Sequence, residues 1–162
     1  MNKRNISWDS FEGYCLDIVQ QMSIDGWKPD IVVGIVRGGA IPAVMISHFL
    51  KCPMVSLHVS LRDSTAGPES NFLLAEEAAH GKKILIVDDI NDTGATITWI
   101  VQDWDQSANG IEWGDTVRIA TVVDNESSKA TLTPNYCGLT INKADKDVWI
   151  CFPWEEFWKR GH

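Results

Sequence analysis

The sequence has no apolar run near the ~20 residues that a membrane span requires. Its opening, Met1-Asn2-Lys3-Arg4-Asn5, leads into a polar, amphipathic stretch and lacks the apolar segment of a secretory leader. A cytoplasmic setting with no membrane partner is therefore expected. Basic residues are in deficit: 14 Lys and Arg stand against 22 Asp and Glu, for a net charge of −8. That balance argues against a broad nucleic-acid footprint. The four cysteines, Cys15, Cys52, Cys137 and Cys151, form no Cys-x-x-Cys pair. Their wide spacing reads as buried free thiols in a reducing compartment, not as a zinc site or a disulfide framework. Internal repeats and low-complexity tracts are also missing. What is present is a chain of 162 residues, 44% hydrophobic and with eight tryptophans, enough for one domain with its own core.

Periodicity divides the chain into alternating elements. Trp8, Phe11, Cys15, Ile18, Val19 and Met22 recur at helical spacing, with Ser7 as N-cap. Asp30 to Val36 is a continuous β-branched run, the pattern of a strand covered on both faces. Ile41 to Leu50 reads as a helix with Pro42 in its first turn. Pro53 to Val59 reads as a strand, and Ser60 to Asn71 as a polar loop containing Gly67-Pro68. Phe72 to His80 is short and helix-like in composition. Lys83 to Asp88 and Thr116 to Val123 read as buried strands, with a helix from Thr96 to Trp104 between them. A short strand at Asp147 to Cys151 and a final helix at Trp154 to Lys159 complete the series. This alternation predicts an α/β domain with a mainly parallel central sheet flanked by helices. Ligands of such sheets bind beyond the carboxyl ends of the strands, so the residues that follow each strand carry the information.

The most informative of these is Ile84-Leu85-Ile86-Val87-Asp88-Asp89-Ile90-Asn91-Asp92-Thr93-Gly94-Ala95-Thr96. An apolar strand ends in two carboxylates, then a small-residue turn, then a helix. Thr93, Gly94, Ala95 and Thr96 have the parts of a phosphate cradle: hydroxyl donors, a permissive glycine and the N–H groups of a helix start. No Gly-Lys-Ser/Thr is present, so it is not a P-loop. Asp88 and Asp89 suit sugar hydroxyls, or a divalent cation that bridges them to the ligand. A phosphate cradle beside hydroxyl-binding acids describes a ribose 5-phosphate site. Arg37-Gly38-Gly39, after the first strand, offers a charge and close backbone approach to an anion.

The thirteen-residue string resembles the 5-phosphoribosyl-1-pyrophosphate (PRPP) motif of type I phosphoribosyltransferases. Val33 to Pro42 resembles that family's pyrophosphate loop. Asp147 to Glu155 resembles the C-terminal segment of bacterial xanthine–guanine and archaeal purine enzymes. The resemblance covers about Trp8 to Trp158. It implies the type I phosphoribosyltransferase fold in a single domain, with a small C-terminal hood from about residue 135 to 162. It implies transfer of the 5-phosphoribosyl group from PRPP to a purine, of the hypoxanthine, xanthine or guanine kind, with release of pyrophosphate. Under it, Asp92 is catalytic at N7 of the base and Thr93 to Thr96 bind the 5-phosphate. Asp88 and Asp89 hold the ribose, Asp89 with Mg²⁺. Arg37 and Gly38 receive the pyrophosphate, and Trp149 stacks on the purine with Ile150 at its edge. A homodimer or homotetramer is implied. His58 and Arg62 flank a loop that would close over PRPP.

One departure is visible. The 6-oxopurine enzymes carry a lysine at the end of the strand after the PRPP helix, and here Asp124 and Asn125 stand there. Asp124 can only accept, whereas Asn125 could donate through its amide, or Lys129 could fold back. Two other functions fit the pattern: a regulator that senses PRPP or nucleotides on the same fold, and a transferase for another base. The acidic balance and Asp92 argue against the regulator, and the tail Trp149-Ile150 with Pro153-Trp154 favours a purine over another base.

Overall fold

The computed structural model describes residues 2–59 and 72–160. The expected loop at 60–71, with Arg62, and the terminal pair Gly161-His162 lie outside the described residues.

The first helix, α1 (Trp8–Asp25), starts where the Ser7 side chain accepts the Ser10 N–H at 3.1 Å and stops at Gly26 in the left-handed conformation. Strands β2 (Ile31–Val36), β3 (Met54–His58), β4 (Ile84–Asn91) and β5 (Val117–Asn125) fall where buried runs place them. Helices α2 (Ala40–Leu50), α3 (Phe72–Ala79) and α4 (Ala95–Ser107) connect them. Strand β6 (Tyr136–Ile141) follows β5 through an irregular connection. All pairings are parallel, and the five-stranded sheet runs β3-β2-β4-β5-β6.

Side chains alternate across this sheet with the two-residue period of a strand. Val32, Leu85, Val87, Ala120 and Val122 pack on the side of α1 and α2, among Phe11, Ile18, Met22 and Ile46. Val33, Ile35, Ile84, Ile86 and Ile119 pack on the other, among Leu74, Ala78, Ile97, Ile100 and Trp104 of α3 and α4. Each large side chain so buried contributes about 1.5–3 kcal/mol relative to exposure, which accounts for uninterrupted apolar strands.

The chain leaves β2 toward β3 on one side, and β4 returns to its other side. The strand order therefore reverses between β2 and β4, and a crevice opens at their carboxyl ends. The loop after β2 carries Arg37-Gly38, and the end of β4 carries Asp88 and Asp89.

The hood differs from its expected extent. Tyr136–Ile141 belongs to the main sheet as its edge strand. The hood strand β7 (Val148–Cys151) pairs instead with β1 (Asn2–Asn5), in register Lys3 to Trp149 and Arg4 to Ile150. Ile6 N–H donates to the Cys151 carbonyl, and Arg160 donates to the Phe152 carbonyl at 3.0 Å, closing the pair. Phe152 and Trp154 stack at 4.9 Å, and Phe11 meets Trp154 edge-on at 5.0 Å, which fastens the hood to α1. The expected helix from Trp154 to Lys159 is only a 3-10 turn, Phe157–Lys159. Glu156 there takes a left-handed backbone angle, φ 50°, which breaks any helix across it. No helix among the described residues is long and apolar enough to cross a membrane.

Candidate active site

A cleft of about 660 Å³ opens at the carboxyl ends of β2 and β4, beneath the hood. Arg37, Gly38, Asp88, Asp89, Asp92, the Thr93–Thr96 turn, Trp149 and Ile150 all line it. The residues that the sequence assigns to PRPP and to the purine therefore share one cleft, whereas Asp124 and Asn125 are not among those that line it.

Asp88 and Asp89 form the floor. Asp89 N–H donates to Asp88 Oδ1 at 2.8 Å, and Ile90 N–H donates to Asp89 Oδ1 at 2.8 Å. Burial raises the Asp88 carboxyl well above the usual carboxylate range, and the charge of Asp89 beside it adds to the effect. Burial also raises Asp89, opposed by hydrogen bonds from Asp88 and from backbone N–H groups. Two half-buried acids in contact make a site that favours a cation or hydroxyl donors. Gly38 lies directly against them: a Cβ there would overlap the Asp89 carboxylate. The loop after β2 and the paired acids are therefore one surface, and glycine is what lets them meet.

The turn Asp92–Thr96 forms one wall. Gly94 caps α4 with φ 95°, and any side chain on it would overlap the Ala130 backbone. The start of α4 leaves N–H groups without intrahelical acceptors. Its first turn carries no acidic residue to satisfy the helix dipole. Ala95 N–H reaches only the Thr93 hydroxyl, at 3.3 Å. This wall is built to receive an anion.

Trp149 forms the opposite wall from the hood. It is 45% exposed while its neighbour Ile150 is 6% exposed, so strand alternation sends Ile150 into the core and leaves the indole in the cleft. The exposed ring is what a stacking platform requires, and a core tryptophan would be covered.

Asp124 and Asn125, which stand where the 6-oxopurine enzymes carry their lysine, do not line the cleft. Both are buried at the end of β5. Asp124 Oδ1 accepts from Asn91 Nδ2 at 2.9 Å, across the β4–β5 pair, and Ser128 Oγ donates to Asn91 Oδ1 at 3.1 Å. Asn125 Nδ2 donates to the Asp92 carbonyl at 2.8 Å, while its Oδ1 accepts from Ser127 Oγ at 2.8 Å and from Lys143 N–H at 2.9 Å. One amide thus ties the Asp92–Thr96 turn to the chain beyond β6. Lys129 does not fold back into the cleft either; its N–H donates to the Thr93 carbonyl at 2.9 Å. His58 ends β3, and Val59 after it lines the cleft.

Asn125→Ala is expected to cost about 1–3 kcal/mol of stability, because the Asp92 carbonyl and the Lys143 N–H lose a buried partner. Denaturant midpoints of the two proteins measure it. An unchanged midpoint would show that water replaces the amide.

Lys143 is the cleft residue that the sequence reading missed. Its Nζ lies 2.9 Å from Asp92 Oδ1 and 5.8 Å from the Trp149 ring centroid. It stands just after β6, at the carboxyl end of a strand, so the rule that located the other residues would have found it had β6 been recognised. Among the described residues, no group of three or more His, Cys, Asp or Glu side chains could hold a metal ion.

The phosphoribosyl transferase domain model matches residues 7–156. The chain is 28% identical to the xanthine-guanine phosphoribosyltransferase of Cereibacter sphaeroides, over 93% of this chain and 86% of that one. It is 23% identical to xanthine phosphoribosyltransferase 1 of Saccharomyces cerevisiae, over 93% of this chain and 88% of that one. Among solved structures it resembles the purine phosphoribosyltransferase of Pyrococcus horikoshii, with a TM-score of 0.68 and 25% identity over 97% of this chain and 96% of that one. With a family match across nearly its whole length and the cleft assembled from the family's motifs, the chain belongs to the phosphoribosyl transferase domain family.

Proposed function

We propose that this protein is a purine phosphoribosyltransferase that takes PRPP and a 6-oxopurine and forms the nucleoside 5-monophosphate and pyrophosphate, in cytoplasmic purine salvage. The observation that carries the reading is the convergence, in one cleft, of an anion-binding turn, paired acids, an anion loop and an exposed indole. The relatives named for xanthine and guanine transfer point the same way.

In this reading the 5-phosphate of PRPP sits on the amides and hydroxyls of Thr93 to Thr96. Binding energy from that remote group orients the anomeric carbon. Asp88 and Asp89 hold the ribose hydroxyls. Arg37 and the backbone at Gly38 receive the pyrophosphate. The bond from the anomeric carbon to pyrophosphate oxygen breaks, and its electron pair leaves with pyrophosphate. The new bond forms from the purine N9, and the purine gives up its N7 proton to Asp92. Trp149 stacks on the base and, with the hood, shelters the positive charge that develops on the ribose from water.

The two acids also fit a divalent cation. They are hard oxygen donors, half-buried and in contact, and among the described residues no group of three or more His, Cys, Asp or Glu side chains could complete a cage. Such a pair suits Mg²⁺ that keeps water and phosphate oxygens as its other ligands. Asp88 and Asp89 would hold it, and when bound it would neutralise charge on the pyrophosphate.

A crystal structure with a purine nucleoside 5-monophosphate tests the arrangement. The phosphate is expected on the Thr93–Thr96 backbone and the base against Trp149. A nucleotide bound elsewhere, with this turn covered by side chains, would refute it.

A further inference from the structure

We infer that Lys143 reads the six-position of the purine, as a specificity residue supplied by the connection between β6 and β7 and not by the end of β5. The inference rests on the proposed purine transfer and deepens it.

Three observations carry it. First, the β5 end is already committed. Asp124 is bonded to Asn91, and both ends of the Asn125 amide are occupied by Asp92, Ser127 and Lys143. Neither side chain lines the cleft. Second, the Lys143 ammonium lies where a base edge would fall. It is 2.9 Å from Asp92 Oδ1 and faces the Trp149 ring at 5.8 Å. It therefore sits at the junction of the stacking face and the proton acceptor. Third, its position is fixed from behind. The Lys143 N–H is bonded to Asn125, and the turn that follows it is closed by Asp145 and Lys146 N–H groups donating to the Asn142 carbonyl. Its side chain is only 17% exposed.

The chemistry of the base matches this pair. On a 6-oxopurine, N7–H and O6 lie side by side on one edge, a donor next to an acceptor. Asp92 accepts and the lysine ammonium donates, so the two side chains present the complementary pattern. Adenine carries an amino group at the six-position, and an ammonium facing it leaves two donors opposed. Without a base, the ammonium and the carboxylate satisfy one another.

Steady-state kinetics of the wild type, Lys143→Ala and Lys143→Gln with hypoxanthine, guanine and adenine tests this. Lys143→Ala should lower kcat/KM for hypoxanthine and guanine about 10- to 100-fold, through a higher KM for the base, as loss of a charged hydrogen bond predicts. The KM for PRPP should stay within about twofold. Adenine use should be unchanged or improved, and Lys143→Gln, which keeps a donor, should recover part of the loss. An unchanged kcat/KM for the oxopurines would overturn the inference. So would an equal loss for all three bases seen in kcat alone, because that is the signature of a lysine that only orients Asp92. If the wild type makes no nucleotide from any base, the proposed transfer fails and this inference with it, an outcome distinct from an active enzyme indifferent to Lys143.

Discussion

Asp92→Asn is expected to lower kcat about 10²- to 10⁴-fold, the range of a general base, while the KM for PRPP changes little. The geometry supports a split of this kind. The side chain of Asp92 faces Lys143 and the cleft, whereas its carbonyl holds the turn through Asn125. Asparagine keeps the backbone bond and the size of the side chain, so the phosphate cradle survives. It cannot take a proton. Single-turnover rates with saturating PRPP measure the loss directly. A variant with the wild-type rate would reduce Asp92 to a structural element of the turn.

Asp88→Asn is expected to separate activity from stability. Turnover should fall by about 10²-fold or more, because under the proposed function the ribose and a divalent cation would lose a ligand beside the reacting carbon. The unliganded fold, measured with a chelator present, should become more stable at neutral pH. The sign follows from linkage. Burial raises the carboxyl of Asp88 above its unfolded value, so its contribution is complete below the unfolded carboxyl range. That contribution is lost as pH rises through the folded value. At neutral pH the wild type must either keep a proton on this group or bury a charge next to Asp89. Asparagine needs neither, and its Oδ1 still accepts the Asp89 N–H. Thermal unfolding across pH 4 to about 8 should show the wild type losing ground to the variant as pH rises. Mg²⁺ with PRPP should reverse the order, because only the wild type binds them tightly. A variant less stable than the wild type throughout would mean that the Asp88 carboxylate is a net structural asset.

The legible parts of this molecule are those where local pattern and tertiary environment agree. Ile84 to Thr96 declares a strand, a turn and a helix in succession, and the strand is buried on both faces as its composition demands. The charged and small residues that follow must then lie at the carboxyl end of the sheet. The same logic placed Arg37 and Gly38. It did not find β1, because Asn2-Lys3-Arg4-Asn5 holds no apolar residue and is exposed throughout. That segment is a strand only because β7, from the other end of the chain, supplies its hydrogen-bonding partner. Strand β6 escaped because Gly138 interrupts a short and only partly buried pattern. The cost of missing it was functional. Without β6, nothing in the local pattern separates Lys143 from the other charges of its polar stretch, and the only strand end in view beside the base is that of β5. Strand β5 in fact continues through both residues, and its register turns them onto Asn91 and the Asp92 carbonyl. The final helix failed for a local reason: Glu156 adopts a left-handed backbone angle, and Trp154 before it is held by packing against Trp8 and Phe11 of α1.

The measurement that bears most directly on the central claim is the stoichiometry of turnover. The purified protein would be incubated with PRPP and Mg²⁺ and with hypoxanthine, guanine, xanthine or adenine in turn, following nucleotide and pyrophosphate together. The account predicts one pyrophosphate released per nucleoside 5-monophosphate formed, with at least one 6-oxopurine used in preference to adenine. Saturable binding of PRPP with no nucleotide from any of the four bases would contradict it, and would mark the cleft as a sensor of PRPP instead of an enzyme that consumes it.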